Sequence, residues 1–154
     1  MDFPADSLER IRPSDDLAAC FGGVTIEAAA RGRDDVLVQV STENAVRGLK
    51  PDFGRIAALS EKLSARGFIV TARGSGDCSF VSRCFYPGVG VPEDPVTGSA
   101  HCTLTSWWSP IVGEPTMLAE QASPRGGRIR LSLEGDRVHL SGQAVSVLRG
   151  ELLA

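Results

Sequence analysis

The stretch Gly90–Leu104, GVPEDPVTGSAHCTL, joins a rigid turn to an apolar segment, and the other predicted elements are arranged around it. Pro92 and Pro95 fix their own φ angles and bias the preceding residues toward extended geometry, so no regular strand or helix is predicted up to Pro95. Residues 100–108 are nearly all apolar or small. A helix that is hydrophobic all round is normally surrounded by protein. The sequence therefore predicts a central helix that is sheathed by strands and ends before Pro110.

The start of this helix offers a candidate site. The first amides of a helix lack an internal partner and carry partial positive charge, and Gly98 would let an anionic ligand approach the backbone closely. Asp94 supplies a carboxylate beside Gly98 and Ser99, a pairing suited to an enzyme that moves a proton on a carboxylic acid. The same residues also fit an ordinary turn followed by a helix cap.

Length and composition place the chain among globular proteins. It has 154 residues, 42% hydrophobic and 23% charged, which predicts one domain over residues 1–154. The net charge of −3 and the pI near 5.4 argue against a nucleic-acid surface. No apolar run reaches the roughly 18 residues of a membrane span. The first residues, MDFPAD, have neither a basic nor an apolar region of a secretory signal, so a cytoplasmic location is expected.

The cysteines and histidines do not form a metal-binding pattern. No CxxC spacing occurs, and His101 and His139 are not near the cysteines in a ligand pattern, so no metal site is predicted. Without an export signal, reduced thiols are expected. Cys102 fits a small buried hydrophobe on the central helix better than a reactive thiol. The cysteines are Cys20, Cys78, Cys84 and Cys102.

Periodicity predicts an α+β fold. The N-terminal part should contain strands in ranges 1–5, 24–30, 35–40, 68–71 and 78–86, a helix in 14–21, a helical turn at 41–44 and a helix over 51–65. From Pro115 onward an antiparallel meander is predicted, with strands 116–121, 128–133, 137–141 and 143–152 and hairpins at Glu134-Gly135 and near Gly142. Seven or eight strands would then curl around the apolar helix, with one or two amphipathic helices outside.

Several segments resemble the phenazine-biosynthesis PhzF-like family, which shares the diaminopimelate-epimerase-like fold. The most specific of them is the run Glu-Asp-Pro-Val-Thr-Gly-Ser-Ala-His, and the likeness covers nearly the whole chain. The segments that carry it are Ser82–Phe85, Gly90–Cys102, Trp108, Arg125–Gly127 and Asp136–Val145.

The resemblance implies a fold and a chemistry. Members have two lobes related by a pseudo-twofold axis, each a curled sheet around a central helix, with the active site between the two helix N-termini. The better-known member is an isomerase that moves a proton in a cyclic amino-hydroxy acid without a cofactor. By resemblance, Asp94 handles the proton or positions the substrate, and Gly98 and Ser99 bind the substrate carboxylate. His101 belongs to the motif but is interpreted as a packed, hydrogen-bonded core residue.

The resemblance is to the C-terminal lobe only, and Met1–Ala5 resembles the segment that enters that lobe. In the family the main catalytic glutamate belongs to the first lobe, together with a Gly-His helix start that faces the second. No counterpart is found among these residues. Glu43 lies in a Ser-Thr-Glu-Asn setting, but a charge at a helix N-terminus explains it.

Three hypotheses follow. The chain is a PhzF-like isomerase lobe whose second lobe is a separate chain or a second copy, the latter forming a homodimer with two Asp94 groups across one cleft. Alternatively, it is a non-catalytic protein: a truncated lobe that serves as a binding or interaction domain, or a degraded reading frame that still folds. The third hypothesis is a domain that binds small carboxylates through Gly98 and Ser99 without chemistry.

Overall fold

A computed structural model describes residues 1–151 of the protein as one sheet with helices on both of its faces. The strands are β1 Asp2–Pro4, β2 Glu9–Ile11, β3 Ile26–Arg31, β4 Asp35–Val40, β5 Gly67–Arg73, β6 Phe80–Tyr86, β7 Val91–Asp94, β8 Thr116–Gln121, β9 Gly127–Glu134 and β10 Arg137–Ser141. The helices are α1 Asp15–Ala19, α2 Glu43–Arg47, α3 Phe53–Lys62 and α4 Gly98–Val112, with a 3₁₀ turn at Pro87–Val89.

The sheet is mostly antiparallel and curled. Its order is β1-β10-β9-β8-β6-β5-β4-β3-β2, with β7 beside β6. The pairs β4–β5 and β6–β8 are parallel, and helices lie in both connections, as a parallel crossover requires. The two edge strands, β1 and β2, are separated in the chain by residues 5–8 alone, so the sheet must bend to bring its ends together. The predicted α+β class and curled, mostly antiparallel sheet are confirmed.

Two apolar clusters lie on opposite faces of the sheet. The inner cluster surrounds α4, where the indole ring of Trp108 is 1% exposed and stacks on Phe80 with ring centroids 5.8 Å apart. Residues from seven strands pack around this helix, so the prediction of a sheathed central helix is confirmed. The outer cluster is covered by α1, α2 and α3 and contains Leu17, Phe21, Val46, Ile56, Phe68 and Phe85.

The outer helices each begin after a residue whose side chain caps the first turn. The side chains of Ser14, Thr42 and Asp52 each accept a hydrogen bond from the backbone N–H three residues further on. Three helices lie outside instead of one or two. The third, α3, ends at Lys62 instead of residue 65, because Ser64 takes a left-handed conformation with φ of 51°.

Two predictions that were based on proline residues near the central helix are wrong: the absence of a strand before Pro95 and the end of the helix before Pro110. Residues 91–94 form β7, which pairs with β6, because Pro92 fits the extended backbone of a strand that is paired on one side only. The helix α4 continues through Pro110 to Val112 and ends at Gly113, whose φ is 81°. A proline in the last turn costs one backbone hydrogen bond there, while Val112 still packs on the inner cluster.

The strand predicted over 143–152 is wrong for residues 143–151, and residue 152 lies outside the described residues. The segment 142–151 is exposed throughout, with the side chain of Val147 93% exposed. The predicted hairpin near Gly142 is also absent from the described residues. Both edges of β10 are already paired, with β9 and with β1, so a strand that turns back at Gly142 has no free edge to join. The three-residue strand β2 was not predicted.

Candidate functional site

The start of α4 is held by a hydrogen-bonded group of buried and half-buried residues. Thr97 precedes the helix, and its backbone N–H donates to Oε1 of Gln121 at 2.8 Å. The Gln121 side chain is fully buried, and its Nε2 donates to the carbonyl of Asp94 at 2.6 Å. The Thr97 hydroxyl donates to Oδ2 of Asp94. These bonds fix the geometry of the last residues before the helix.

This arrangement places Asp94 beside the first turn of α4. Its carboxyl group is half-buried at the end of β7 and contacts the residue that immediately precedes Gly98. The hydroxyl of Thr97 occupies Oδ2, and Oδ1 accepts no hydrogen bond from residues 1–151. One carboxylate oxygen is therefore anchored while the other stays available to a ligand. The role of Asp94 in proton transfer stays a prediction.

The first amides of α4 have the free donors that the sequence suggested. Within residues 1–151, no protein group accepts a hydrogen bond from the N–H groups of Gly98, Ser99 or Ala100. Gly98 lines a broad cavity of about 780 Å³, and Ser99 lines a smaller one of about 120 Å³. Because the two residues face different cavities, a ligand that contacts both must lie over the end of the helix between them.

The broad cavity beside Gly98 is basic. It is lined by Arg125, Arg128 and Arg130. Arg128 forms an exposed ion pair with Asp77 at 2.9 Å, and the other two arginines form no ion pair within residues 1–151. Positive charge in a cleft raises the local concentration of anions. This side of the helix start can therefore attract a carboxylate or another anionic group.

The smaller cavity contains a buried charge that sequence reasoning missed. Asp35 is 2% exposed and accepts two hydrogen bonds from Arg66, at 2.9 and 2.5 Å. Burial raises the pKa of Asp35, while the hydrogen bonds and the charge of Arg66 act in the opposite direction. Arg66 also donates to Oγ of Ser99 at 2.9 Å. A buried ion pair is thereby connected to a predicted substrate-binding residue.

The sequence of β4 contains a signal for the Asp35–Arg66 ion pair, because side chains alternate between the two faces of a strand. Asp35 shares a face with Leu37, and Leu37 belongs to the inner cluster around α4. A carboxylate on a buried face requires a charged or hydrogen-bonding partner. The sequence could not show that the partner is Arg66, because Arg66 is 31 residues away along the chain.

His101 lies in the second turn of α4 and is fully buried. Its Nδ1 is 2.7 Å from the carbonyl oxygen of Thr97, and within residues 1–151 its Nε2 has no hydrogen-bond partner. Burial lowers the pKa of His101 to about 4, so the imidazole is neutral near pH 7. The interpretation of His101 as a packed, hydrogen-bonded core residue is confirmed.

Two glutamates that could be considered as acid/base groups, Glu93 and Glu43, have structural partners. Glu93 forms a two-point ion pair with Arg83 at 2.8 and 2.9 Å, with both side chains largely buried. Glu43 lies in the first turn of α2, as interpreted from the sequence, and its carboxylate accepts hydrogen bonds from Ser75 and Arg47. These hydrogen bonds, that of Ser75 foremost, lower the pKa of Glu43.

The cysteines are buried free thiols in the described structure. Cys102 lies on α4 and is 7% exposed, and burial raises the pKa of its thiol, as expected for a packed side chain and not for a reactive one.

Among residues 1–151, no three His, Cys, Asp or Glu side chains come together in a group that could hold a metal ion. In the same part of the chain, no helix combines the length and the apolar character needed to cross a membrane.

Sequence comparison supplies the family. Residues 3–150 match the family model of the phenazine biosynthesis-like proteins. An uncharacterized isomerase of Halalkalibacterium halodurans is 42% identical over 99% of this chain and 57% of its own length. An uncharacterized isomerase of Pseudomonas aeruginosa is 43% identical over 99% of this chain and 56% of its own length. The chain belongs to the phenazine biosynthesis-like family, as the resemblance predicted.

Solved structures agree with this assignment. A PhzF-family protein of Enterococcus faecalis superimposes with a TM-score of 0.84 at 37% identity, over 91% of this chain and 52% of that one. A putative phenazine biosynthesis PhzC/PhzF protein of Clostridium difficile gives a TM-score of 0.83 at 35% identity, over 100% of this chain and 57% of that one. The chain thus spans somewhat more than half the length of the relatives it matches.

Proposed function

We propose that this chain is a lobe of a PhzF-like isomerase and takes part in cofactor-independent proton transfer on a small amino or hydroxy carboxylic acid. The second lobe is supplied by another chain or by a second copy. The observation that carries the proposal is the anchored Asp94 carboxylate beside the open first turn of α4, in a family whose relatives are named as isomerases.

In the proposed reaction, Gly98 and Ser99 bind the substrate carboxylate at the positive end of α4. The bond between the α-carbon and hydrogen breaks, the proton passes to an acid/base group, and the electron pair is delocalised toward the carboxylate. Fixed donors at the helix start stabilise that negative charge as it develops. Asp94 takes or returns the proton through the oxygen that Thr97 does not occupy.

A complete isomerisation returns the proton at a second position or on a second face, so it needs a second acid/base group. By family resemblance that group is a glutamate of the other lobe. Losing such a group typically costs on the order of 10²- to 10⁴-fold in rate. The isolated chain is therefore expected to be far slower than the assembled pair.

Solvent-deuterium incorporation tests the chemistry. The chain is incubated in D₂O with a panel of small α-amino and α-hydroxy acids, and NMR follows loss of the α-proton signal. Asp94→Asn should reduce exchange at least about 100-fold. Asp136→Asn, in the exposed hairpin between β9 and β10, is the matched control and should exchange like the wild type. Unchanged exchange in Asp94→Asn removes Asp94 from the mechanism.

Light scattering coupled to size exclusion tests the second-copy form of the proposal. A homodimer is expected, because a true twofold axis would then replace the pseudo-twofold of the family. A monomer would exclude the second copy and direct the search to a separate first-lobe chain.

The alternative function is a non-catalytic lobe that binds small carboxylates or acts as an interaction domain. The basic cavity beside Gly98 supports it, because anion attraction there needs no acid/base group. Binding of a small carboxylate without deuterium incorporation by any assembly would favour this alternative. Ser99→Pro removes one amide donor and should weaken binding; equal affinity in calorimetry would contradict the use of that amide.

A further inference from the structure

The guanidinium of Arg66 bridges the buried part of the molecule and the start of α4. Its Nη2 donates both to Oδ2 of Asp35, at 2.5 Å, and to Oγ of Ser99, at 2.9 Å. Asp35 is 2% exposed, whereas Ser99 is exposed. The Arg66 side chain therefore links a buried carboxylate of the core to a hydroxyl at the surface.

Further contacts of Arg66 and of its partner Asp35 hold the arginine in one orientation. Its Nε donates to the other oxygen of Asp35 at 2.9 Å, and the ring of Tyr86 lies 4.8 Å from its guanidinium carbon. The Tyr86 hydroxyl contacts Oδ2 of the same carboxylate at 3.4 Å. The backbone N–H of Arg66 donates to the carbonyl of Asp34 at 2.7 Å. A planar guanidinium held by a two-point pair and an aromatic face has little rotational freedom.

This geometry determines where the Ser99 proton points. A guanidinium has donors and no acceptor, so Oγ of Ser99 must be the acceptor in the bond with Arg66. The serine proton is then directed away from Arg66, and within residues 1–151 no acceptor receives it. Because Asp35 compensates the charge of Arg66, the pair contributes orientation more than net positive charge.

We propose that Arg66 is a positioning residue that presents the Ser99 hydroxyl as a hydrogen-bond donor to a carboxylate bound at the start of α4. This inference rests on the proposed function, because it assigns the donor that completes the carboxylate site. Arg66 acts through Ser99 and does not itself contact the substrate.

An acetate titration followed by ¹H–¹⁵N NMR tests the inference at the residues concerned. Acetate is added at constant ionic strength, and the dissociation constant is taken from the amide shifts of Gly98, Ser99 and Ala100. Ser99→Ala should weaken acetate binding about tenfold, because a hydrogen bond to a charged group is lost. Arg66→Lys keeps a cation beside Asp35 but loses the forked geometry, so binding should weaken about three- to tenfold.

The double variant Ser99→Ala/Arg66→Lys separates positioning from a general structural effect. If Arg66 acts through the hydroxyl, Arg66→Lys should add nothing in the Ser99→Ala background. Additive losses would overturn the inference. The matched control is Arg47→Lys, another ion-paired arginine, which should bind acetate like the wild type.

The remaining outcomes are also decisive. If acetate shifts the three amides and Arg66→Lys binds as tightly as the wild type, the inference is wrong and the proposed function stands. If acetate leaves these amides of the wild type unperturbed, both fail. Should Arg66→Lys not fold, Ser99→Ala alone decides, since unchanged acetate affinity without the hydroxyl overturns the proposal.

Discussion

Two arginines of this protein, Arg66 and Arg83, each hold a carboxylate with two hydrogen bonds, but they use their remaining donors differently. Arg83 pairs with Glu93, and its Nη1 donates to the carbonyl of Leu49 beyond the end of α2 at 3.1 Å. Arg66 pairs with Asp35 and donates to the exposed hydroxyl of Ser99.

The same kind of ion pair therefore serves two purposes in this protein. The Arg83 and Glu93 side chains are 11% and 13% exposed, so this pair connects β6, β7 and the segment after α2 inside the protein. The Arg66 side chain is 33% exposed and the side chain of its partner Asp35 is 2% exposed, so this pair joins the core to the surface at the start of α4. The first pair is structural, and the second is placed to act on a ligand.

The greatest loss of stability is expected when the Arg83–Glu93 pair is broken. Glu93→Ala leaves Arg83 largely buried without its carboxylate, which should reduce the free energy of unfolding by about 3–5 kcal/mol. Urea denaturation measures the change. Asp77→Asn breaks the exposed pair with Arg128 and should cost at most about 1 kcal/mol. If both variants lose the same small amount, the Arg83 pair is not structural.

The next effect concerns a buried titratable group without a charge partner, His101. Its pKa is about 4 in the folded protein and about 6.5 when unfolded, so the unfolded chain binds a proton first on acidification. Stability is therefore complete above pH 6.5 and falls by about 3 kcal/mol as the pH drops to 4. In His101→Asn, the free energy of unfolding measured between pH 4 and pH 7 should no longer show this dependence on pH.

His139 provides the control for that experiment, since its side chain is 41% exposed. His139→Gln should keep the wild-type pH dependence of unfolding. Identical slopes for His101→Asn and the wild type would show that His101 is not the buried neutral group whose protonation opposes folding.

A smaller loss of stability is expected when the loop between Glu93 and Ser99 is disturbed. Gln121→Leu removes the partners of the Thr97 N–H and the Asp94 carbonyl, and should cost about 1–3 kcal/mol. Hydrogen exchange of the segment 94–101 should become faster. Gln143→Leu, in the exposed segment 142–151, should leave both measurements unchanged; equal protection in Gln121→Leu would mean that Gln121 does not hold the loop.

The smallest stability effect distinguishes the ligand-directed pair most sharply. Ser99 is exposed, so Ser99→Ala should change the free energy of unfolding by less than about 0.5 kcal/mol. The same variant should lose acetate affinity in the titration described above. A loss of stability above about 1 kcal/mol would instead make Ser99 a structural partner of Arg66.

Local patterns predicted much of this fold. Strands β4, β8 and β10 appear at their predicted positions because alternation along a strand reports directly which face is buried. The family motif placed Asp94, Gly98 and Ser99 at one helix start for the same local reason, since they lie within six residues of one another in the chain.

The misses share one cause. Pro110 and the segment 143–151 were judged by local rules, but helix packing outweighed the first and the lack of a free strand edge decided the second. Arg66 was given no functional role from the sequence, because nothing in its neighbourhood along the chain shows that Asp35 and Ser99 meet at its guanidinium.

Local sequence was therefore enough to predict the apolar central helix, the alternating strands around it and the carboxylate, glycine and serine at its start. These follow from periodicity and from a short continuous motif. Which arginine serves the core and which serves the helix start depends on the folded arrangement of the chain. The side-chain contacts of Arg66 with Asp35 and Ser99 span 31 and 33 residues of the chain, and they depend on how the sheet curls around α4.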